Sequence, residues 1–269
     1  MTVQEKISFL MSKESYDFDD LVLLVEVLRS ENGCPWDREQ DHQSIRKDLI
    51  EETYEVIEAI DTENPELLRE ELGDLLLQVV FHAQIETEKD SFDIHGVAND
   101  ICAKLIHRHP HVFGRVQADT SAQVLANWEV IKSEEKERVT VTDKLRAIPP
   151  MLPALMRAQK VGKKASCFDF ADAEEVIAKI EEELDELRQA ISAGNQSNTE
   201  EELGDLLLSV TSLARKLHVD SEEALVHATD KFIDRFDAIE QTVLAEQKDI
   251  QEISNEELNR IWEQNKHKN

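Results

Sequence analysis

EELDELRQAISAGNQSNTEEELGDLLL, residues 182–208, repeats the acidic pattern of EETYEVIEAIDTENPELLREELGDLLL, residues 51–77. Five carboxylates keep a constant offset of 131 positions between the two copies: Glu51 with Glu182, Glu52 with Glu183, Glu55 with Glu186, Glu71 with Glu202, and Asp74 with Asp205. Five matching offsets are not expected by chance, so the chain is predicted to contain the same structural unit twice.

The acids of each copy are spaced so that they share a helix face. Residues three or four apart on an α-helix are neighbours, so Glu183 lies beside Glu186, and Glu202 lies beside Asp205. Like charges at this spacing destabilise a helix by roughly 0.2–0.5 kcal/mol per pair, which favours a positive group between them. A solvated acidic face is the alternative interpretation.

The second part of each copy favours a bound cation. Leucines and valines surround Asp74 and Asp205, so these helices are apolar almost all round and are expected to be buried. A buried carboxylate is costly unless it is paired, hydrogen-bonded or bound to a metal. Carboxylate oxygens are hard ligands, which suit Mg²⁺, Mn²⁺ or Ca²⁺ rather than zinc or copper.

The patterns predict an all-α fold built on antiparallel helical hairpins. Apolar residues recur with a helical period, and only seven Gly and six Pro occur in 269 residues. Asn64-Pro65 is typical of a helix start, and the loop predicted over 193–199 ends in a capping box of Thr199 and Glu202. A hairpin alone leaves apolar surface uncovered, so we expect dimerisation to complete a four-helix core.

The charge of the chain limits its partners. Asp and Glu number 58 against 30 Lys and Arg, and the formal net charge of −28 repels nucleic-acid polymers and anionic membrane surfaces. A small phosphate ligand is compatible with this charge, because a bound metal and a few cations reverse the local field. Three cysteines without a Cys-x-x-Cys pair, and no signal-peptide or membrane-spanning run, predict a cytoplasmic protein.

A proline-rich segment separates the two copies. Pro149, Pro150 and Pro153 interrupt any helix there, which predicts an N-terminal domain over residues 1–147 and a C-terminal domain over 148–269. Beyond the hairpins the repeat continues in looser register, with Lys104-x-x-x-Arg108 matching Lys231-x-x-x-Arg235, and Trp128-Glu-x-x-Lys132 matching Trp262-Glu-x-x-Lys266. Such basic pairs either solvate a surface or contact phosphate.

The doubled carboxylate motif resembles the metal motif of the all-α nucleoside triphosphate pyrophosphohydrolases. Further strings resemble the two-domain MazG family: Gly-Cys-Pro-Trp-Asp at 33–37, Glu-Glu-Thr-Tyr-Glu-Val at 51–56, Arg-His-Pro-His-Val-Phe-Gly at 108–114, and Leu-Pro-Ala-Leu-Met-Arg-Ala-Gln-Lys at 152–160. The resemblance covers nearly the whole chain except roughly the first twenty residues.

This resemblance implies an enzyme. The expected activity is Mg²⁺-dependent hydrolysis of nucleoside and deoxynucleoside triphosphates to the monophosphate and pyrophosphate, with Mn²⁺ as a possible substitute. The expected form is a homodimer with broad base tolerance that serves nucleotide-pool housecleaning or regulation.

The resemblance also implies roles for individual residues, with the C-terminal copy as the competent site. Metal would be bound by Glu183, Glu186, Glu202 and Asp205. The nucleotide would be surrounded by Lys179, Glu182, Lys231, Arg235, Trp262 and Lys266. Because Glu182 is adjacent to the metal set and is not needed as a ligand, we take it as the candidate for orienting or deprotonating the attacking water. A second metal site in the N-terminal copy would comprise Glu52, Glu55, Glu71 and Asp74.

The N-terminal copy departs from the motif at one position. Asp48 stands where the offset places Lys179, which puts a negative charge where a phosphate contact is expected. We therefore expect this copy to be a degenerate or accessory site, although Lys47 beside Asp48 offers a compensating charge.

Two other classes of function compete with this prediction. A di-iron carboxylate bundle also places glutamates on facing helices, but it needs Glu-x-x-His pairs, and the spacing of Glu39 and His42 lies outside both repeats. A non-catalytic acidic helical protein that holds a partner on its helix faces would show no triphosphate turnover.

Overall fold

Every regular element that the computed structural model describes is helical. The described residues are 1–135, 140–246 and 248–265, and no strand occurs among them. The predicted all-α class is confirmed. None of the helices in this described part has the length and apolar character that a membrane crossing requires.

Two compact units divide the chain between Lys132 and Ser133. This division precedes the predicted domain boundary at 147/148, so the segment 133–147 falls within the second compact unit.

The first unit is organised around a long helix, α5. Its helices are α1 (Val3–Met11), α2 (Phe18–Arg29), α3 (Pro35–Glu39), α4 (Arg46–Asp61), α5 (Pro65–Thr87), α6 (Ile94–Arg108), α7 (Pro110–Phe113) and α8 (Ser121–Glu135), the last of which runs past the division. Buried side chains of α2, α5 and α6 form one apolar cluster together with Ile45: Val25, Val80, Phe81, Ala83, Ile85 and Ile94. This cluster fixes the C-terminal half of α5 and leaves its acidic N-terminal half to pack on α4.

The second unit contains a longer hairpin. Its helices are α9 (Val141–Arg146), α10 (Ala154–Lys164), α11 (Ala173–Ala193), α12 (Gln196–Lys216), α13 (Ser221–Ala245) and α14 (Asn255–Asn265), with a 3₁₀ turn at Ile250–Glu252. The helices α11 and α12 pack along each other, and α10 packs on α12 and α13. Ile239, Val243 and Ile261 form the buried cluster that joins α13 to α14.

The expectation that the acidic helices are buried all round is wrong for the single chain. On α5, Leu72, Leu76 and Val79 are exposed, and on α12 the exposed apolar residues are Leu203, Leu207, Leu208 and Val210. The reason is that each hairpin helix is covered mainly on the side that faces its partner helix. An apolar face is therefore left open on each hairpin.

Candidate metal site

Three glutamates of the second unit converge. Glu183 and Glu186 lie one turn apart on α11, and Glu202 lies on the neighbouring helix α12. Each offers a carboxylate oxygen, and these three oxygens lie within 4.8 Å of one another. Glu183 is buried, whereas Glu186 is exposed. The predicted convergence of acids from both helices of the hairpin is present.

A two-residue connection sets the register of this hairpin. The helix α11 ends at Ala193 and is followed by Gly194, whose φ of 67° is the left-handed conformation that favours glycine. Asn195 then caps α12, because its side chain accepts a hydrogen bond from the Asn198 N–H at 3.3 Å. The predicted loop 193–199 and its capping box at Thr199 are wrong, since the Asn195 cap lets the helix begin at Gln196.

The Lys179 side chain contacts the carboxylates from one turn upstream on α11. Its Nζ lies 2.8 Å from Glu183 Oε1 and 2.9 Å from Glu182 Oε1. These hydrogen bonds, first to Glu183 and then to Glu182, raise the pKa of the Lys179 ammonium. The ammonium is therefore the positive group immediately beside the carboxylates.

Asp205 stands at the edge of this group. It is exposed on α12 and is not one of the three residues whose oxygens lie within 4.8 Å. Burial raises the pKa of the Glu202 carboxyl, and the charges of Glu186, Glu183 and Asp205 add to the effect. Asp205 therefore shares the electrostatic environment of the three glutamates without being part of their cluster.

The first unit repeats the cluster. Oxygens of Glu52 and Glu55 on α4 and of Glu71 on α5 lie within 4.8 Å of one another. Burial, followed by the charges of Asp74 and Glu55, raises the pKa of Glu52 to about 7. Asp74 is exposed and outside the cluster, as Asp205 is in the second unit.

The start of α5 forms as predicted. Asn64 accepts hydrogen bonds from the N–H groups of Glu66 and Leu67, and Pro65 occupies the first turn. Asp48, at the position that matches Lys179 of the second copy, is half-buried. The Nζ of Lys47 lies 4.0 Å from the Oδ1 of Asp48. The nearby cation therefore faces Asp48, the residue that replaces the lysine.

The predicted arginine and tryptophan of each copy lie against each other. Arg235 on α13 lies over the Trp262 ring, with Cζ 5.8 Å from the ring centroid, and the Phe232 ring is 5.4 Å away. Lys231 is exposed on the same helix. Lys266 lies outside the described residues.

In the first unit Arg108 and Lys132 both lie over Trp128, at 5.2 and 4.9 Å from the ring centroid. The contact between Trp and Arg therefore occurs in both copies, although the loose repeat had indicated only that the positions match.

The carboxylate clusters fit a divalent cation. Mg²⁺ and Ca²⁺ bind oxygen ligands at about 2.0–2.6 Å, so oxygens within 4.8 Å of one another can share one ion after small side-chain adjustments. A set made only of carboxylates also suits hard cations in preference to zinc.

The di-iron alternative is not supported, because within the described residues neither candidate cluster includes a histidine. His42 instead has Nε2 2.7 Å from Glu86 Oε1.

One contact in the second unit, at the end of the hairpin away from its loop, was not predicted. Asp169, in the segment before α11, accepts hydrogen bonds from Arg215, with Nη1 to Oδ2 at 2.8 Å, and pairs with Lys216 Nζ at 3.1 Å. Lys216 also donates to the Phe170 carbonyl. These bonds fix the start of α11 against the end of α12. The residues are about 46 positions apart, so no helical spacing could have indicated the pairing.

Comparison with protein families identifies the repeated unit. The model of the MazG nucleotide pyrophosphohydrolase domain matches residues 40–113 and again residues 171–239. Each matched range contains one of the glutamate clusters.

Relatives align along almost the whole chain. A Thermotoga maritima protein named nucleoside triphosphate pyrophosphohydrolase/pyrophosphatase MazG is 45% identical over 251 residues, which cover 93% of this chain and 95% of that protein. An Escherichia coli K12 protein named nucleoside triphosphate pyrophosphohydrolase is 44% identical over 253 residues, covering 91% and 95%. YabN of Bacillus subtilis, which is described as uncharacterized, is 40% identical over 254 residues, covering 93% of this chain and 52% of YabN.

Proposed function

The chain belongs to the MazG family of nucleotide pyrophosphohydrolases, and from that premise we propose that it hydrolyses nucleoside and deoxynucleoside triphosphates to the monophosphate and pyrophosphate. One observation carries the proposal: Glu183, Glu186 and Glu202 offer oxygens within 4.8 Å of one another, with the Lys179 ammonium at their side. Such a site suits a metal-bound triphosphate, because the acids bind the ion and the cation meets the phosphates. The names of the aligned relatives support the same reaction.

Mg²⁺ is the proposed cofactor, with Mn²⁺ as a substitute. Glu183, Glu186 and Glu202 would hold the ion, and Asp205 would add a ligand from the next turn of α12. When bound, the ion supplies positive charge against the phosphate oxygens and lowers the pKa of bound water.

The other side chains would bind the substrate and manage the proton. Lys179, with Lys231, Arg235 and Lys266, would neutralise phosphate oxygens as their charge increases. Glu182 is exposed and is next to Glu183 in the sequence, but it is not one of the clustered glutamates. Its carboxylate would therefore be available to orient or deprotonate the attacking water. Trp262 would stack on the base. Stacking accepts every base, which supports broad base specificity.

The C-terminal copy is the proposed catalytic site, and the N-terminal copy is the proposed accessory site. Glu52, Glu55, Glu71 and Asp74 would bind a second ion. Asp48 in place of lysine leaves this copy without the cation that meets the phosphates.

The open apolar faces of the hairpins support a homodimer. On α12 the exposed residues Leu203, Leu207 and Val210 follow the i, i+4, i+7 spacing of one helix face. A second hairpin packed on this face would complete a four-helix core.

The cysteines Cys34, Cys102 and Cys167 are all free, which supports a reducing compartment such as the cytoplasm. We propose that the protein serves nucleotide-pool housecleaning there.

Product analysis tests the proposal. The full chain is incubated with Mg²⁺ and each common ribo- and deoxynucleoside triphosphate, and pyrophosphate and orthophosphate are quantified separately. We expect one pyrophosphate per nucleoside monophosphate and no orthophosphate. Nucleoside diphosphate and orthophosphate as the products, in place of nucleoside monophosphate, would refute cleavage at the α-phosphorus. A chain without any turnover, and without a gain in melting temperature from Mg²⁺ and nucleotide, would favour the non-catalytic acidic interaction protein.

A further inference from the structure

Lys179 holds the most buried of the three clustered glutamates. Its Nζ is 2.8 Å from Glu183 Oε1, and the Glu183 side chain is only 7% exposed. Lys179 could form an ordinary surface ion pair with Glu182 and no other residue, because the Glu182 carboxylate is exposed and lies three residues away on the helix. The ammonium nevertheless also contacts Glu183, and through it enters the carboxylate cluster.

This contact competes with a metal ion. A divalent cation bound to the Glu183 carboxylate would lie within a few ångströms of the ammonium, and two cations at that separation repel each other. The side chain of Lys179 is one-third exposed and has a flexible four-carbon stem, so the ammonium can move away without disturbing the helix. A triphosphate beside the cluster would supply the negative charge that draws it away.

We propose that Lys179 is a built-in counter-ion of the C-terminal carboxylates, which opposes binding of the metal alone and makes metal and nucleotide bind together. This inference rests on the proposed function, since it concerns the same site. It assigns Lys179 a second role besides its phosphate contact, that of a positioning residue acting through Glu183.

The N-terminal copy provides an internal contrast. Asp48 occupies the position that corresponds to Lys179, and the nearby Lys47 is paired with Asp48. The residue that corresponds to Lys179 therefore brings no ammonium group to the cluster of Glu52, Glu55 and Glu71. The coupling of metal to nucleotide should accordingly be a property of the second unit only.

Metal binding without nucleotide tests the proposal directly. The full chain is used with Glu52→Gln and Glu55→Gln, so that the N-terminal cluster does not contribute, and Mn²⁺ affinity is measured from the electron paramagnetic resonance signal of the free ion. Adding Lys179→Met removes the ammonium but keeps the stem. We expect Mn²⁺ to bind at least about tenfold more tightly, because a unit positive charge a few ångströms away is lost.

Arg188→Met is the matched control. Arg188 is a cation on the same helix, is paired with Asp185 at 2.7 Å and is two-thirds exposed. Its loss changes the net charge equally but should alter Mn²⁺ affinity less than about twofold, because exposed charges are screened. Lys179→Arg, which keeps a positive charge at the site, should retain weak binding of Mn²⁺ alone.

A nucleotide arm measures the coupling itself. A triphosphate analogue with a carbon bridge between the α- and β-phosphates is added, and the gain in Mn²⁺ affinity is compared between the two chains. The gain should be smaller after Lys179→Met than before it. An equal gain in both chains would overturn the proposal.

Two further outcomes separate this inference from the proposed function. If Lys179→Met leaves Mn²⁺ affinity unchanged while Glu183→Gln abolishes binding, the lysine is only a phosphate contact, and the inference is overturned while the metal site stands. If no Mn²⁺ binding depends on Glu183 in either chain, both the metal assignment and the inference are wrong.

Discussion

Glu183 and Glu202 lie on two different helices, yet their carboxylate oxygens come within 4.8 Å of each other. Such proximity between like charges is unfavourable without a neutralising group. The pKa of Glu202 is raised, first by burial and then by the neighbouring charges of Glu186 and Glu183. The pair is therefore the part of the site on which metal binding and turnover should depend most.

Activity should depend on Glu183 and not on its counterpart Glu52. Glu183→Gln keeps the side-chain shape but removes the charge, and pyrophosphate release should fall at least about 100-fold, as for loss of one preorganised electrostatic group. Glu52→Gln, at the equivalent position of the first unit, should change the rate less than about twofold. Initial rates and far-UV circular dichroism check both variants. Equal losses would mean that both halves contribute to turnover.

Asp169→Asn should destabilise the second unit. The side chains of Asp169 and Arg215 are 17% and 19% exposed, and the substitution weakens a charge-assisted pair, which costs about 1–2 kcal/mol of unfolding free energy. Asp185→Asn is the control, because its pair with Arg188 is exposed and should be worth less than about 1 kcal/mol. Urea unfolding followed by tryptophan fluorescence measures both. A larger loss from Asp185→Asn would contradict the assignment.

Stability of the first unit should depend on Glu86 in a defined pH range. Hydrogen bonds from Lys89 and then from His42 lower the pKa of Glu86 from 4.5 to about 2. Because the folded pKa is the lower one, the ionised carboxylate contributes stability that is complete above about pH 5 and is lost as the pH falls towards 2.

The difference in unfolding free energy between the wild type and Glu86→Gln should therefore shrink from pH 5 to pH 2. Urea unfolding at a series of pH values measures it. A difference that stays constant across this range would show that the charge of Glu86 does not stabilise the fold.

Leu207→Lys should weaken the proposed dimer. Leu207 is half-exposed at the centre of the apolar face that it shares with Leu203 and Val210. A charge placed in a packed interface centre should raise the dimer dissociation constant at least about tenfold. Sedimentation velocity at several concentrations measures the mass, and Met151→Lys, at an exposed apolar residue on no hairpin helix, is the control. Unchanged sedimentation of Leu207→Lys would place the interface elsewhere.

Much of the site could be predicted because helical geometry links sequence spacing to position. The repeated offset and the i, i+3 spacing were enough to bring Glu183, Glu186 and Glu202 together. Loop boundaries were not predictable in the same way, because Asn195 and Thr199 are both acceptable caps and only the observed helix start distinguishes them.

Burial of the acidic helices differs most from what the sequence predicts. The residues around Asp205 are apolar as required for a core, but the described helices of the second unit leave one side of α12 exposed. The pairing of Asp169 with Arg215 was also beyond prediction, because it depends on where a loop lies on another helix.

The joint between α11 and α12 constrains how this molecule can change over evolution. Gly194 and Asn195 alone join these helices, whereas residues 62–64 join α4 to α5, yet the count from Glu186 to Glu202 equals that from Glu55 to Glu71. One residue gained or lost within either helix would rotate the next acid by about 100° around the axis. Drift can therefore change the helical residues around this joint, whereas Gly194 and Asn195 are restricted by the left-handed φ and by the helix cap. An uncompensated insertion or deletion there would disperse the clustered glutamates.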